Sequence, residues 1–247
     1  MSVDPFHEAP SRRPTPPAFN VPSVVLAFIG VLVAVHLFRA MVAGPTIQGW
    51  MILNLSFIPG CYSDLAEICT VRAPGADLWT PASYTLLHGD AMHIGLNSLW
   101  LLVFGTPVAR RLGGQRFLIF SIAGSVAGAA LFFVINPTLL QPVIGASGAV
   151  SAMMGGASRF ALSRGDRFSM MRAYRQQSLT PIASALSDRT VLVFVIVFFA
   201  TNLLFSAGMG GAFGEGSVAW EAHLGGFVFG FLGLGLFERR PSDGVPH

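Results

Sequence analysis

The chain has 247 residues, of which 53% are hydrophobic and only 11% charged, where a soluble domain carries about 25% charged residues. Its mean hydropathy is +0.63, so lipid rather than water is its main solvent. The formal net charge is only +3 and the arginines sit in short clusters between apolar runs, which excludes nucleic acid as an expected partner.

Residues 1–20 carry Pro5, Pro10, Pro14, Pro16 and Pro17 with Arg12 and Arg13, a composition too poor in apolar surface to order itself. A disordered cytoplasmic tail is expected there. The run from Val21 to Phe38 is followed by Arg39 where a signal peptide needs small residues, so an uncleaved first span is expected. A membrane helix needs about 20 mainly apolar residues. Six stretches meet or approach that length: 21–43, 90–109, 117–136, 146–162, 190–207 and 219–237. The expected fold class is therefore all-α, a polytopic membrane bundle of six helices in one domain over 21–237, with a cytoplasmic tail at 238–247.

Asn136-Pro137 divides what is otherwise one long apolar run. The fourth span is short and rich in small residues, so it is expected to begin below the membrane surface, shielded by protein. Between the first two spans lies an outer segment, 44–89, whose Trp50, Trp79, Tyr62 and Tyr84 favour the membrane interface. Cys61 and Cys69 fall in it; they are too few for a zinc site, but could form one bridge in an oxidising space. With the N-terminus inside, every arginine except Arg39 and Arg72 lies on the cytoplasmic side, so both termini are expected there, in a bacterial inner membrane.

Polar residues recur where the topology puts the outer ends of these spans: His88, His93 and Asn97 at the second, Ser147 at the fourth, His223 at the sixth. Such groups are costly at membrane depth and point to a site. His93 and Asn97, four apart, share a helix face. Ser147 stands in Gly145-Ala146-Ser147-Gly148, where glycine lets the backbone turn and a helix N-terminus leaves amide groups for a developing oxyanion. His223 is followed by Gly226 and Gly230, a G-x-x-x-G pair that lets another helix approach, as do the small residues of span four. These two spans should therefore pack together and bring a serine to a histidine. Taken singly, the same residues have plainer uses. A membrane serine usually bonds its own backbone, and His88, His93 and His223 could hold zinc, although H-E-x-x-H is absent.

His88-x-x-x-x-His93-x-x-x-Asn97, Gly145-x-Ser147-Gly148 and Ala222-His223-x-x-Gly226 together resemble the motifs of the rhomboid intramembrane proteases in identity, spacing and order. The resemblance implies a serine endopeptidase with Ser147 as nucleophile and His223 as base, no carboxylate completing a triad, and no metal or organic cofactor. It implies that His93 and Asn97 stabilise the oxyanion with the Ser147 amide, that Gly145 keeps the substrate path open, and that His88 is structural. Its expected partners are single-span membrane proteins, cut near their outer ends within the lipid bilayer. The departure is Ser151, four residues after the nucleophile, where the family often has an aromatic ring beneath the base. A hydrogen bond from Ser151 to His223 is the substitute expected here. A silent scaffold that binds membrane helices without cutting them is the alternative. The loop 206–215, rich in glycine, is expected to flank a lateral gate.

Overall fold

The structure, a computed structural model, describes residues 21–62, 67–162, 178–204, 206 and 219–238. The expected N-terminal tail, the expected C-terminal tail beyond Glu238 and most of the glycine-rich loop lie outside the described residues. Helix α1 (Ser23–Met41) is followed by α2 (Pro45–Leu55), whose first residue is a proline, well suited to a position with no intrahelical donor bond to lose. Short 3₁₀ turns lead to α3 (Ala76–Ser83). The second span is built from α4 (Ala91–Trp100), a π-helical turn at Leu101–Gly105, and α5 (Thr106–Leu112). Pro107 accounts for the turn: it lacks an N–H, and its ring would press on the carbonyl four residues back, so the ladder loosens ahead of it.

Helix α6 (Gly114–Ile135) stops before Asn136-Pro137, as the pre-proline restriction requires. Helix α7 runs from Ser147 to Ser158, α8 from Ile182 to Ser187, α9 from Arg189 to Leu204 and α10 from Trp220 to Gly233. Helical segments overlap all six stretches expected as spans, but among the described residues four helices are long and apolar enough to cross a membrane: Ser23–Met41, Ala91–Leu112, Gly114–Ile135 and Trp220–Phe237. The chain is an all-α, polytopic integral membrane protein. The fifth apolar segment, α9, has 16 residues and α7 has 12. The brevity of α7 matches its position: every residue from Gly148 to Ser158 is buried, so protein surrounds it. Among the described residues there is no β-strand, only an isolated bridge between Phe57 and Val143.

Glycine sets the spacing at the centre. A methyl group added to Gly230 would lie 1.8 Å from the Ala152 carbonyl oxygen, and one on Gly226 2.2 Å from that of Gly148. From the other side, a methyl on Gly155 would lie 2.1 Å from the Phe227 oxygen. Helices α7 and α10 therefore touch backbone to backbone, and α6 closes on α10 in the same way where Gly128 meets the Ala222 oxygen.

Several charged side chains are buried and paired. Arg72 is buried, donating through Nε to the Leu53 carbonyl (2.8 Å) and pairing through Nη1 with Asp77 (2.6 Å). Glu221 is buried and accepts from Asn136 Nδ2 (3.0 Å), tying α10 to the end of α6. Arg159 is buried as well, donating to the carbonyls of Thr180 and, at 3.1 Å, Phe231. Composition shows such charges but not their partners. Cys61 and Cys69 are joined in a disulfide.

Because the atoms facing Gly230 are backbone and cannot yield as a flexible side chain would, Gly230→Ala should lower stability by about 1–3 kcal/mol or more. Thermal unfolding of the detergent-solubilised protein measures it. The control is Gly95→Ala on α4, whose added methyl meets nothing within 4 Å and should leave the midpoint unchanged or raised.

Candidate active site

Ser147 is the first residue of α7, after Ala146 in the capping position. The first intrahelical bond runs from Val150 N–H to the Ala146 carbonyl (2.9 Å), so the amides just ahead of Val150 have no partner within the helix. The chain leading to Ser147 is pinned residue by residue. Gly60 N–H donates to the Leu139 carbonyl (2.9 Å), Val143 N–H to that of Phe57 (2.8 Å), and Gly145 N–H to that of Tyr84 (3.0 Å). Ala146 N–H then donates to Nε2 of His88 (3.3 Å).

Gly145 has φ +120°, a backbone region essentially reserved for glycine. A methyl there would lie 2.6 Å from His93 Nε2 and 3.7 Å from Ser147 Oγ, so the histidine edge and the serine hydroxyl border the same small space. His93 is held at both ends. Its backbone N–H is capped by Asp90 Oδ1 (2.8 Å), and its Nδ1 accepts from Gly89 N–H (3.4 Å). With Nδ1 accepting, the neutral ring carries its proton on Nε2, the atom that faces Gly145.

Asn97 is buried, and its Nδ2 donates to the His93 carbonyl (2.9 Å) on its own helix. The structure therefore brings His93 to Ser147 but spends one Asn97 donor on the backbone. His88 is fully buried and packs edge-on to the His93 ring at 5.0 Å. Burial first, then the neighbouring His93 and His36, lowers its pKa to about 3. The Leu86 carbonyl favours a proton on the ring, yet Nδ1 has no partner in hydrogen-bond geometry. Since Nε2 accepts from Ala146, the single proton of the neutral ring sits on Nδ1.

His223 lies one turn into α10, three residues before the Gly226 that touches Gly148. Its Nδ1 pairs with Asn202 Oδ1 from α9. Asn202 Nδ2 is taken up by the Phe198 carbonyl (2.7 Å), which fixes the amide with its oxygen toward the ring. An amide oxygen can only accept, so Nδ1 carries the proton and Nε2 the free lone pair. No hydrogen bond joins Ser147 Oγ to His223 among the described residues. Ser151 is buried on α7 and makes no hydrogen bond to His223, so Asn202 takes the place expected of it.

A sequence signal for Asn202 exists. Phe194, Phe198 and Asn202 are four apart, as are His223, Phe227 and Phe231, and the two stripes meet. The rings of Phe198 and Phe227 stack at 4.8 Å, and Phe194 lies 6.3 Å from Phe227. The aromatic contacts set the register that delivers the amide to the imidazole.

A sequence profile described as Rhomboid domain matches residues 75–239. The chain is 29% identical over 175 residues to "Rhomboid protease GluP" of Bacillus subtilis, covering 68% of this chain and 29% of that protein. It is 31% identical over 174 residues to "RHOMBOID-like protein 4" of Arabidopsis thaliana, with 69% and 36% covered. With "Rhomboid protease GlpG" of Serratia proteamaculans it shares 25% identity over 163 residues, covering 66% and 49%. The chain thus spans half or less of the length of these relatives.

Two outcomes follow from the geometry. Gly145→Ala forces a side chain into a left-handed backbone and against His93, so it should disturb the space beside Ser147 and lower the unfolding temperature; near-native stability in that variant would refute the strain argument. The unfolded chain takes up a proton near the ordinary histidine pKa of about 6.5, while folded His88 resists it down to about pH 3. Stability should therefore fall as pH drops from 6.5 toward 3, with His88 contributing at most about 1.4 kcal/mol per pH unit. Unfolding midpoints of His88→Gln, which keeps an acceptor and cannot titrate, should fall less steeply across that range.

Proposed function

The chain belongs to the rhomboid family, and from that premise we propose that it is an intramembrane serine endopeptidase with Ser147 as nucleophile and His223 as general base. The observation that carries the proposal is the tautomer of His223: Asn202 accepts from Nδ1, which leaves Nε2 with its lone pair on the ring edge free to take a proton. A serine is activated when such a base draws its proton in the transition state.

In the proposed cycle Ser147 Oγ attacks the scissile carbonyl as its proton passes to His223 Nε2. The oxyanion receives the Ser147 N–H at the start of α7 and the Nε2–H of His93, which borders the same space. His223 then returns the proton to the leaving amine, and water, with His223 as base again, hydrolyses the acyl-enzyme. Asn97, with one N–H left over from its bond to the His93 carbonyl, is the further donor we propose for the same oxygen. Asn202 acts as a positioning residue through His223. Two features support Gly145 in keeping the path to the carbonyl open: its positive φ and the absence of a side chain against His93.

The substrates we propose are single-span membrane proteins. A peptide bond inside a stable helix is hydrogen-bonded and shielded, so the cut segment has to unwind, and helix-weak residues should favour cleavage. The site lies at the end of the second span opposite Arg110 and Arg111, and the positive-inside bias supports an outward-facing site with both termini inside; the membrane we propose is a bacterial inner membrane.

The test is cleavage of single-span model substrates in lipid by the wild type, Ser147→Ala and Asn202→Ala, with the new termini read by mass spectrometry. Product is expected from the wild type and none from Ser147→Ala. Asn202→Ala should lose about tenfold or more in kcat, less than removal of the base itself, with KM unchanged and the pH profile of kcat displaced. Product from Ser147→Ala would exclude this serine. Binding without product by the wild type across the panel would establish the scaffold reading instead.

A further inference from the structure

A cavity that the catalytic proposal does not use lies at the same end of the bundle as Ser147, between the last turn of α1, the start of α2 and the residues leading into α4. Its volume is about 240 Å³, and His36, Arg39, Ala40, Gln48, His88 and Gly89 line it. Since a water takes roughly 30 Å³ in the liquid, the space holds several waters or a phosphate-sized group.

Three of the lining side chains carry a buried nitrogen without a hydrogen-bond partner: Nδ1 of His36, Nε of Arg39 and Nδ1 of His88. Buried polar atoms are ordinarily paired, so three unpaired ones on side chains that line one cavity, from two separate parts of the chain, point to a ligand. Its chemistry follows from theirs. Arg39 Nε can only donate, and His88 Nδ1 bears the ring proton because Nε2 accepts from Ala146. The ligand must accept hydrogen bonds.

It must also be negative. Arg39 donates through Nη1 to the His88 carbonyl (2.9 Å), which holds the guanidinium against the cavity wall without neutralising it. The ion pairs among the described residues are Arg72–Asp77 and Arg111–Glu238, and no carboxylate lines this cavity. Of the two arginines that the charge bias leaves on the outer side, Arg72 has its acid and Arg39 has none. An arginine at the end of a membrane helix, beside two imidazoles, calls for an anion.

The surroundings identify its source. Next to the cavity, Met41 is 78% exposed, Val42 71%, Ile47 47% and Trp50 54%, an apolar surface along the end of α1 and the face of α2. Tryptophan and a basic residue at the end of a span lie at headgroup depth, where phosphodiesters are abundant. We propose that this cavity binds the phosphate of an anionic phospholipid, with Arg39, His36 and His88 as donors and the acyl chains lying on the apolar surface of α1 and α2. An occupant accepting from His88 Nδ1 holds that ring with Nε2 on the Ala146 amide, one residue before Ser147.

The experiment measures binding, so its result does not depend on whether the protein cleaves anything. The full-length protein, delipidated in a non-ionic detergent, is titrated with phosphatidylglycerol and followed by native mass spectrometry, alongside Arg39→Gln and Gln48→Glu. The second variant keeps all three donors and places a carboxylate beside Arg39, so it tests the site even if the first fails to fold. One lipid should bind the wild type at least tenfold more tightly than it binds either folded variant. Inorganic phosphate is titrated separately, with the melting temperature as readout. A rise in the wild type that is absent from Gln48→Glu, without lipid binding, would keep the anion site and assign it to free phosphate. Equal lipid binding by wild type and Gln48→Glu, or no response of the wild type to either lipid or phosphate, overturns the proposal.

Discussion

The contact on which the rest of this molecule depends is the one between the backbones of α7 and α10. Gly148 against Gly226, Ala152 against Gly230 and Gly155 against Phe227 leave no room for another side chain between the helices. In lipid such closeness replaces the hydrophobic drive that packs a soluble core, because acyl chains are as apolar as leucine and association must come from dispersion and geometry. Two consequences follow at once. A 12-residue helix too short to cross a membrane by itself is enclosed by protein, and its first residue, Ser147, is set beside the turn of α10 that runs from His223 to Gly226.

A second constraint acts on the approach to Ser147. The segment after Pro137 is not helical, so each of its backbone groups needs a partner if it lies away from water. The outer segment supplies them: Leu139, Val143, Gly145 and Ala146 bond in turn to Gly60, Phe57, Tyr84 and His88. The outer segment is stiff enough for this because Arg72 gathers Leu53 and Asp77, Asn54 accepts from the Ala73 amide (2.6 Å), and Cys61 is bridged to Cys69. What looks in sequence like a long loop is the mould in which the segment carrying the serine is set.

Much of this was legible beforehand because membranes simplify sequences. Apolar length marked the spans, Asn136-Pro137 marked the end of α6, and the paired small-residue faces marked α7 and α10 as neighbours. What escaped was of one kind: the partner of a polar side chain. Glu221, Asp77 and Arg159 show in the sequence only as charges, and only folding shows that Asn136, Arg72 and the Thr180 carbonyl meet them. Ser151 was assigned to His223 because four residues separate it from Ser147, but a shared helix face says nothing about a third helix. Asn202 had its own four-residue stripe with Phe194 and Phe198, and it fills that role. The four-helix count by length, against six expected segments, reflects the shielding of α7 and the shortness of α9, which hydropathy windows do not weigh.

That the proposed base, His223, is held by an amide has a physical rationale. A carboxylate in the place of Asn202 would stabilise the imidazolium more strongly, but an ionised acid at that depth is costly unless fully paired. The asparagine oxygen fixes the same tautomer without a buried charge, and it forgoes the Coulombic share of the stabilisation. It also makes the state of the base depend on α9. That helix buries little, Val191 alone among its residues, and meets α10 chiefly through the rings of Phe194, Phe198 and Phe199 against Phe227. Few interactions of this kind define one register yet separate more readily than the glycine contacts of α7. If α9 moves outward, His223 Nδ1 loses its acceptor and the tautomer is no longer imposed. The chemistry of the proposed site is thus coupled to the docking of its least buried long helix.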